Sequence, residues 1–362
     1  MQTIDKKHLW AKFCSWVTNH RKVILIVSGA VVLLTAAALT YLFVFYKPNT
    51  TGSTPETQLP KAEPVKVYSI LTGQLVAEGT NLNQAVTGVM IENSPEARPQ
   101  SGLKEAGVVF EAICEGGITR FLALYQTEKP QLIGPVRSVR MYYIDWAAGF
   151  NASIAHIGGN IDALAEVRNG VHRDLDEFFN ADTYWRSTDR DAPHNVYTSF
   201  AKLDALNAEK GYTRSVFTGF ARADGAPVAT PDATSITVNI SSELFNSSYV
   251  YNATTNTYAR YQAGAAHNDR ELGQITPSVV IAMYVNESTI PVEEGYEESI
   301  GTINSGKAVI FQNGTAITGT WTKTSQKGQI SFKDAAGIEI PLVRGQTWIA
   351  AVPNGDGAVT WQ

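Results

Sequence analysis

The first strong pattern along the chain is an apolar run near the N-terminus. Residues 23–46 read VILIVSGAVVLLTAAALTYLFVFY and contain no charged side chain. A helix of this length is about 36 Å long, because each residue adds 1.5 Å, and a hydrocarbon core is about 30 Å thick. We therefore predict a single transmembrane helix at 23–46. It follows a short tip at 1–22 and precedes a Pro-, Thr- and Ser-rich stalk linker at 47–66.

Beyond the stalk, strand-like and helix-like patterns alternate. The strand-like runs are rich in apolar and β-branched residues and lie at 87–92, 107–114, 118–125 and 152–157. The helix-like runs lie at 138–150, 161–168 and 201–210. Ser199 is a suitable N-cap for the last of these helices. This mixture predicts an α/β or α+β domain with a central sheet over 67–225.

The pattern changes again after a Pro- and Ala-rich break at 221–235. Helical periodicity disappears, and short strand-like runs are separated by turn residues such as Asn313-Gly314. We predict an all-β domain over 235–362, either a sandwich or an open barrel.

Charge is distributed unevenly along the chain. The whole sequence has 29 basic and 34 acidic residues, and the tip at 1–22 holds five of the basic and one of the acidic residues. The tip is therefore +4, whereas the rest has 24 basic and 33 acidic residues and is −9. The basic tip predicts a cytoplasmic N-terminus and an extracellular ectodomain at the plasma membrane. The acidic ectodomain argues against nucleic-acid binding, which requires a dense basic surface.

The two cysteines exclude a disulfide framework. Cys14 precedes the apolar run and Cys114 follows it, so we expect them on opposite sides of the membrane. Cys114 lies inside an apolar strand-like run and is interpreted as a small buried side chain. The ectodomain must therefore be stabilised by its own core.

Unusual residues concentrate between 92 and 195. The segments read RPQSGL, EGGITRF, IGPVRSVR, HIGG and PHN, and a second group, YARYQAGAAHND and GQTWI, follows nearer the C-terminus. In this order they resemble the YerB-like family of bacterial lipoproteins, a domain of unknown function with an N- and a C-terminal part. The resemblance implies a bacterial, membrane-tethered protein of two domains and supplies no established activity. Family members with a lipid anchor place a cysteine directly after the apolar run, and this chain has none at that position.

These segments bring arginines, carboxylates and glycine pairs together. Guanidinium groups beside glycines suit the recognition of carboxylate or phosphate, although the same arginines also suit internal ion pairs. The predicted ligand-binding residues are Arg98, Ser101, Glu111, Glu115, Gly116, Gly117, Arg120, Arg137, Arg140, His156, Asp191, His194 and Asn195. We expect a binding or scaffolding module for an anionic or cell-wall ligand, with a cell-wall polymer or an envelope protein as partner.

Hydrolysis of envelope polymers is the alternative, and the sequence leaves catalysis open. Glu111 and Glu115 lie four residues apart, about 13 Å along a strand, which is too far for a glycosidase pair. Glu115 with Asp145 or His194 is the remaining catalytic hypothesis. His156 and His194 show no metal-ligand spacing, so we predict neither a metal nor a cofactor.

Overall fold

The computed structural model describes residues 6–45, 66–292, 295–355 and 357–362. The chain divides into two units, Met1–Pro64 and Val65–Gln362, and each is described by itself. The predicted stalk at 47–66 lies outside the described residues, except for its last residue. Tyr46, the last residue of the predicted transmembrane run, also lies outside the described residues.

The first unit contains two helices, α1 (Lys6–Asn19) and α2 (Arg21–Phe45). Within the described part of the chain, α2 is the helix that is long and apolar enough to cross a membrane, judged by length and composition. It has 25 residues, and none of them is buried. It begins two residues before the predicted apolar run, because Arg21 and Lys22 continue the helix.

The second unit combines helices and many short strands. Its α-helices are α3 (Met141–Ala148), α4 (Ile161–Val167) and α5 (Phe200–Glu209). Single 3₁₀ turns lie at Pro95–Ala97, Leu103–Glu105, Glu115–Gly117, Glu177–Phe179 and Ala181–Thr183. The strands are β1 (Val67–Tyr68), β2 (Leu75–Val76), β3 (Thr87–Glu92), β4 (Val108–Ile113), β5 (Thr119–Tyr125), β6 (Ser153–His156), β7 (Arg173–Asp176), β8 (Trp185–Arg186), β9 (Val196–Tyr197), β10 (Arg222–Ala223), β11 (Ser235–Asn239), β12 (Ser247–Asn252), β13 (Thr257–Gln262), β14 (Ala265–Ala266), β15 (Asn268–Asp269), β16 (Gly273–Gln274), β17 (Val279–Val285), β18 (Glu287–Val292), β19 (Gly295–Ile300), β20 (Ser305–Gln312), β21 (Thr315–Thr322), β22 (Ser331–Lys333), β23 (Leu342–Val343), β24 (Thr347–Pro353) and β25 (Ala358–Trp361).

A ten-stranded sheet is the centre of this unit. Its strand order is β22-β21-β20-β17-β24-β4-β5-β3-β6-β7. The pairs β17–β24, β24–β4, β3–β6 and β6–β7 are parallel, and the other neighbours are antiparallel. Strand β24, near the C-terminus, pairs with β4 from the first half of the ectodomain. One sheet therefore contains strands from both halves of the sequence.

Both faces of the sheet are covered. Strands β3, β4 and β5 are buried along their whole length, as expected for central strands with both faces covered. On one face, α3 and α4 pack against the sheet, and Trp146 of α3 stacks on Phe110 of β4 with ring centroids 5.0 Å apart. The other face packs against α5 and a second, five-stranded sheet.

The second sheet is antiparallel and has the order β14-β13-β12-β11-β25. Along β13 of this sheet, buried inner side chains alternate with partly exposed ones. Tyr249 and Tyr258 point inward and belong to the same core cluster as Trp348 and Phe121 of the large sheet.

The sequence-based assignment of a mixed α/β region followed by a largely β region is confirmed. Strand β3 occupies the predicted 87–92, and α5 begins after Ser199, whose side chain accepts a hydrogen bond from the Lys202 amide. Residues 235–362 do not form a sandwich or open barrel by themselves, because five of their strands extend the sheet of the first half. The apolar pattern of a strand predicts its burial but does not identify its partner strand.

Candidate functional site

The candidate site lies where the large sheet splits. Strand β3 pairs with β6 only over residues 87–89. Beyond this point residues 135–137 take the place of β6, since the Arg137 amide donates to Met90 O and the Glu92 amide donates to Pro135 O. Open α/β sheets bind ligands at the carboxyl ends of strands where neighbouring strands diverge. The end of β3 is such a position.

Glu92, the last residue of β3, is the centre of the site. Its side chain is only 5% exposed, and Oε1 accepts hydrogen bonds from Arg137 Nε at 3.2 Å and Ser94 Oγ at 3.2 Å. His194 Nδ1 lies 2.9 Å from the same oxygen. Oε2 is buried and has no partner among the described residues. A buried carboxylate oxygen is costly unless water or a ligand satisfies it.

His194 reaches Glu92 from a long loop between β8 and β9. The Asn195 side chain orders this loop, because its Oδ1 accepts from Arg186 and its Nδ2 donates to the Ser187 and Arg190 carbonyls. The His194 amide donates to Asp191 O, whereas the Asp191 side chain is exposed. Within the described residues, His194 Nε2 has no hydrogen-bond partner, so the imidazole edge opposite Glu92 is free for a ligand.

A second group adjoins Glu92 through the neighbouring strand. Arg120 of β5 is the direct partner of Glu92 in the sheet. Its guanidinium donates to Ser138 O at 2.8 Å and lies 3.3 Å from a Glu115 oxygen. Arg140 contacts the other Glu115 oxygen. We call Arg120, Arg137 and Arg140 the arginine cluster.

Glu115 bridges two members of this cluster from a glycine turn. The turn Glu115–Gly117 joins β4 to β5, and Gly116 and Gly117 have φ values of +62° and +74°. Only glycine adopts such angles freely, so the turn can present the Glu115 side chain outward. Glu115 is 43% exposed, whereas Arg120 and Arg140 are 7% and 12% exposed. An exposed carboxylate therefore occupies a position between two nearly buried guanidiniums.

Glu111 lies on the opposite face of the sheet, in a fully buried polar ring. Its carboxylate binds Arg260 at 3.0 Å and accepts from Trp348 Nε1 at 2.9 Å. The ring continues from Arg260 to His267, Gln100, Asn93 and Thr119, and Thr119 donates back to Glu111. Each of these six side chains is buried.

The pKa of His267 decides the direction of hydrogen bonding in this ring. Burial, together with the neighbouring charges of Arg260 and Arg98, lowers the pKa of His267 well below its usual range. The neutral ring accepts from Arg260 Nε at Nδ1 and therefore donates from Nε2 to Gln100 Oε1. Gln100 in turn donates to Glu92 O, so the ring fixes the backbone that carries the central carboxylate.

His156 lies apart from the arginine cluster, at the ends of β6 and β7. Its ligand atoms, with those of Asp174 and Asp176, lie within 4.8 Å of one another, as a metal site would require. Internal partners already use them: His156 contacts Gly158 O and Asp174, and Asp176 binds Arg168 and the Phe178 amide. The three side chains therefore form a hydrogen-bonded strand end.

The remaining predicted residues lie elsewhere. Asp145 on α3 accepts from Thr302 and Gln326 and has no contact with Glu115 or His194 in the described part of the chain. Arg98 donates to the Asn93 and Leu244 carbonyls, and burial lowers its pKa. Ser101 donates to Glu271.

The structure thus unites part of the predicted set and separates the rest. Glu115, Gly116, Gly117, Arg120, Arg137, Arg140 and His194 surround one location. The ring members Arg260, His267 and Trp348 were not predicted as site residues. They lie in two of the motifs that carry the family resemblance, YARYQAGAAHND and GQTWI. Membership in these motifs is the signal that could have identified them.

Comparison with known proteins identifies the family. Residues 71–213 match the model described as "Protein of unknown function (DUF3048) N-terminal domain", and residues 236–349 match the corresponding C-terminal domain. The chain belongs to the DUF3048 family. A Bacillus subtilis relative named "Putative lipoprotein YerB" is 30% identical over 298 residues, covering 81% of this chain and 88% of the relative.

The fold of this DUF3048 chain is similar to a solved structure. The crystal structure of YerB protein from Bacillus subtilis matches with a TM-score of 0.72 and 27% identity, over 82% of this chain and all of that one. The YerB-like resemblance inferred from the motifs is therefore confirmed. A relative named "Putative lipoprotein YerB" and an apolar N-terminal helix together indicate membrane association.

Proposed function

We propose that this chain is a membrane-anchored envelope protein whose ectodomain binds an anionic ligand at the arginine cluster. The observation that carries the proposal is the position of Glu115. Its carboxylate is half-exposed, sits on a glycine turn and bridges Arg120 and Arg140. A ligand carboxylate or phosphate that displaces it finds two nearly buried guanidiniums already oriented. Glu115 is then an internal substitute that keeps the site neutralised when no ligand is bound.

The local charge favours an anion. Arg120, Arg137 and Arg140 face two carboxylates, Glu92 and Glu115, so this location has a surplus of one positive charge before His194 is counted. The surrounding chain beyond residue 22 is strongly acidic, at −9. A positive location within an acidic surface supports selective binding of anionic groups rather than general adhesion to polyanions.

A cell-wall polymer is the proposed source of the anion. The hairpin of β8 and β9, whose loop carries His194, also lines a cavity of about 280 Å³ with Trp185, Tyr197 and Arg270. Trp185 is 36% exposed, and indole rings stack well on sugar faces. Muropeptides and teichoic acids combine sugars with carboxylates or phosphates. The alternative partner is an envelope protein, which the same surface would bind as a scaffold.

The proposed location is the outer face of the plasma membrane. The support is the apolar helix α2, the basic excess of residues 1–22 and the lipoprotein relative. We propose a single pass with a cytoplasmic N-terminus, which keeps the binding site within reach of the cell wall.

Binding is tested with the full chain in lipid nanodiscs. Isothermal titration with muropeptides and with teichoic-acid fragments should give saturable binding. Arg140→Gln should weaken it by about tenfold or more, since charge-assisted bonds contribute about 1.5–3 kcal/mol. Glu115→Gln should strengthen it, because the internal competitor loses its charge.

Arg344→Gln is the matched control. Arg344 also pairs with a carboxylate, Asp224, but lies outside the arginine cluster. Binding equal in the Arg140 and Arg344 variants, or no binding of either ligand class to the wild-type chain, would contradict the proposal.

Hydrolysis of envelope polymers is a second candidate, and the pairing of His194 with Glu92 favours it. A carboxylate at Nδ1 orients an imidazole so that Nε2 acts as a general base. The geometry thus gives His194 a partner other than Glu115 or Asp145. Mass spectrometry of incubated muropeptides should reveal products that disappear with His194→Ala and diminish with Glu92→Gln. Intact substrates after prolonged incubation with the wild-type chain would exclude this activity.

A further inference from the structure

Gln262 is a buried amide whose polar atoms are unsatisfied. It is the last residue of β13, lies on the inner face of the five-stranded sheet and is only 4% exposed. Neither Oε1 nor Nε2 has a hydrogen-bond partner among the described residues. Leaving both atoms of a buried amide without partners costs free energy, and native proteins retain such groups where something else supplies the bonds.

A cavity adjoins this side chain. It has a volume of about 280 Å³ and is lined by Gln262 together with Arg98, Pro99, Ala263, Ala265, Ala266, His267 and Asn268. Ala263 also lines a second cavity of about 530 Å³. Because Ala263 lines both cavities, we refer to the two together as the groove. This groove is separate from the arginine cluster.

The groove is suited to a neutral polar ligand with a small apolar group, because the Arg98 guanidinium that lines the smaller cavity already donates to the Asn93 and Leu244 carbonyls. Around Gln262, the methyl of its cross-strand partner Ala265 and the Pro99 ring provide an apolar wall. The larger cavity adds hydroxyl and amide groups from Thr237, Asn239, Asn246, Ser247 and Ser248, with Glu243 as its charged lining residue. Pockets of this kind combine apolar walls with a few oriented polar groups that select the ligand.

We propose that this groove binds an N-acetylated sugar. Such a sugar carries an amide N–H and a hydroxyl on adjacent carbons. Both amide atoms of Gln262 are covered in the structure, so the amide turns toward the cavity on binding. The sugar N–H then donates to Gln262 Oε1, the hydroxyl oxygen accepts from Gln262 Nε2, and both atoms gain partners. The acetamido methyl packs against Ala265, the cross-strand partner of Gln262, and the remaining ring hydroxyls face the Ser and Asn side chains of the larger cavity.

A peptide is the competing ligand with an amide, and the edge of the sheet disfavours it. Peptides bind sheet edges by adding a strand, which needs a row of free backbone groups. The edge strand β14 has only two residues. Further along β13, the amides of Tyr258 and Arg260 already donate to Pro277 O and Ile275 O. The chain itself therefore occupies the edge that a peptide strand would use.

The test uses the full chain in lipid nanodiscs with defined oligosaccharides. Saturation-transfer difference NMR and titration should detect tri-N-acetylchitotriose, with the strongest transfer at the acetamido methyls. The de-N-acetylated glucosamine trimer should bind at least about tenfold more weakly, because it lacks the amide and the methyl. Gln262→Leu should reduce binding of the acetylated trimer by a similar factor, and Ala265→Leu, at an exposed position, should do so by filling the cavity.

Gln329→Leu is the matched control, because both amide atoms of Gln329 also lack partners among the described residues but line neither cavity. It should leave binding unchanged, as should Arg140→Gln. Equal binding in wild type and Gln262→Leu would overturn the proposal, as would no binding of the acetylated trimer to the wild-type chain. Preferential binding of trialanine would assign the groove to peptides instead. Anion binding at the arginine cluster is a separate property, so the groove proposal is judged only by the binding of the acetylated trimer to Gln262→Leu and Ala265→Leu.

Discussion

Removing the charge of Glu111 offers the sharpest test of how the ectodomain is held together. Glu111 and Arg260 are both completely buried and bind each other at 3.0 Å. Glu111→Gln keeps the shape of the side chain and removes its charge. The Arg260 guanidinium then retains the Tyr249 hydroxyl and His267 Nδ1 as neutral acceptors, with no counter-charge in contact.

The expected cost follows from burial. Breaking a buried ion pair by removing one partner costs about 3–5 kcal/mol, because an uncompensated charge stays in a region of low dielectric. Whole domains are stable by only about 5–15 kcal/mol, so this single change removes a large share of the total. The Trp348 indole still finds an acceptor in the glutamine carbonyl, and its hydrogen bond does not add to the loss.

Urea unfolding followed by far-UV circular dichroism measures this cost. Arg260→Met should be similarly destabilising. The double variant, Glu111→Gln with Arg260→Met, should lose less than either single change, because no charge remains buried. Asp224→Asn is the control: Asp224 pairs with Arg344 but is 84% exposed, and its loss should cost at most about 1 kcal/mol.

The reasoning would be refuted by two results. A cost of Glu111→Gln below about 1 kcal/mol would mean that Arg260 does not depend on this carboxylate. A double variant whose loss equals the sum of the single losses would mean that the two side chains are energetically independent.

Further predictions concern pH, a buried amide, a helix cap and topology. The folded state holds His267 neutral, with its pKa well below 6.5, whereas the unfolded state takes up a proton below about pH 6.5. The free energy of unfolding should therefore fall by up to about 1.4 kcal/mol per pH unit as the pH drops from 6.5, and His267→Asn should flatten this dependence in the same urea titration. Gln262→Leu should raise the free energy of unfolding by about 1 kcal/mol, since it removes an unsatisfied buried amide, and a lowered melting temperature would contradict this. Ser199→Ala should cost about 1 kcal/mol by removing the N-cap of α5, with Ser199→Asp as the stabilising control. Cys14 is exposed and Cys114 buried, so a membrane-impermeant maleimide should label Cys14 only after cells are permeabilised; labelling of intact cells would reverse the proposed orientation.

Much of the secondary structure could be predicted because the signals are local. A continuous apolar run bounded by polar residues defined β3, and Ser199 with a 3.6-residue periodicity defined α5. The sheet that joins the two halves could not be predicted. The run at β24 is buried along its whole length, which marks a central strand, but nothing in it specifies β4 as a neighbour.

The site was predicted in part for similar reasons. Arg120, Arg137 and His194 stand in compact motifs, and the structure brings them together. Glu92 was not among the predicted site residues, because a carboxylate at a strand end is an ordinary feature of a sequence. Its central role depends on residues 135–137 and 194 converging from distant parts of the chain. Gln262 gave no signal, since an uncharged polar residue in an alternating strand is usually exposed.

The position of β24 has a consequence for biosynthesis. Trp348 and Glu111, which meet in the finished sheet, are 237 residues apart in the chain. At about 5–20 residues per second, synthesis of the intervening segment takes roughly 10–50 seconds. During that interval the free edge of β4 is unpaired and apolar, and such edges readily pair with other chains. The nascent ectodomain therefore needs protection, by a chaperone or by delayed release, until nearly its last residue has emerged.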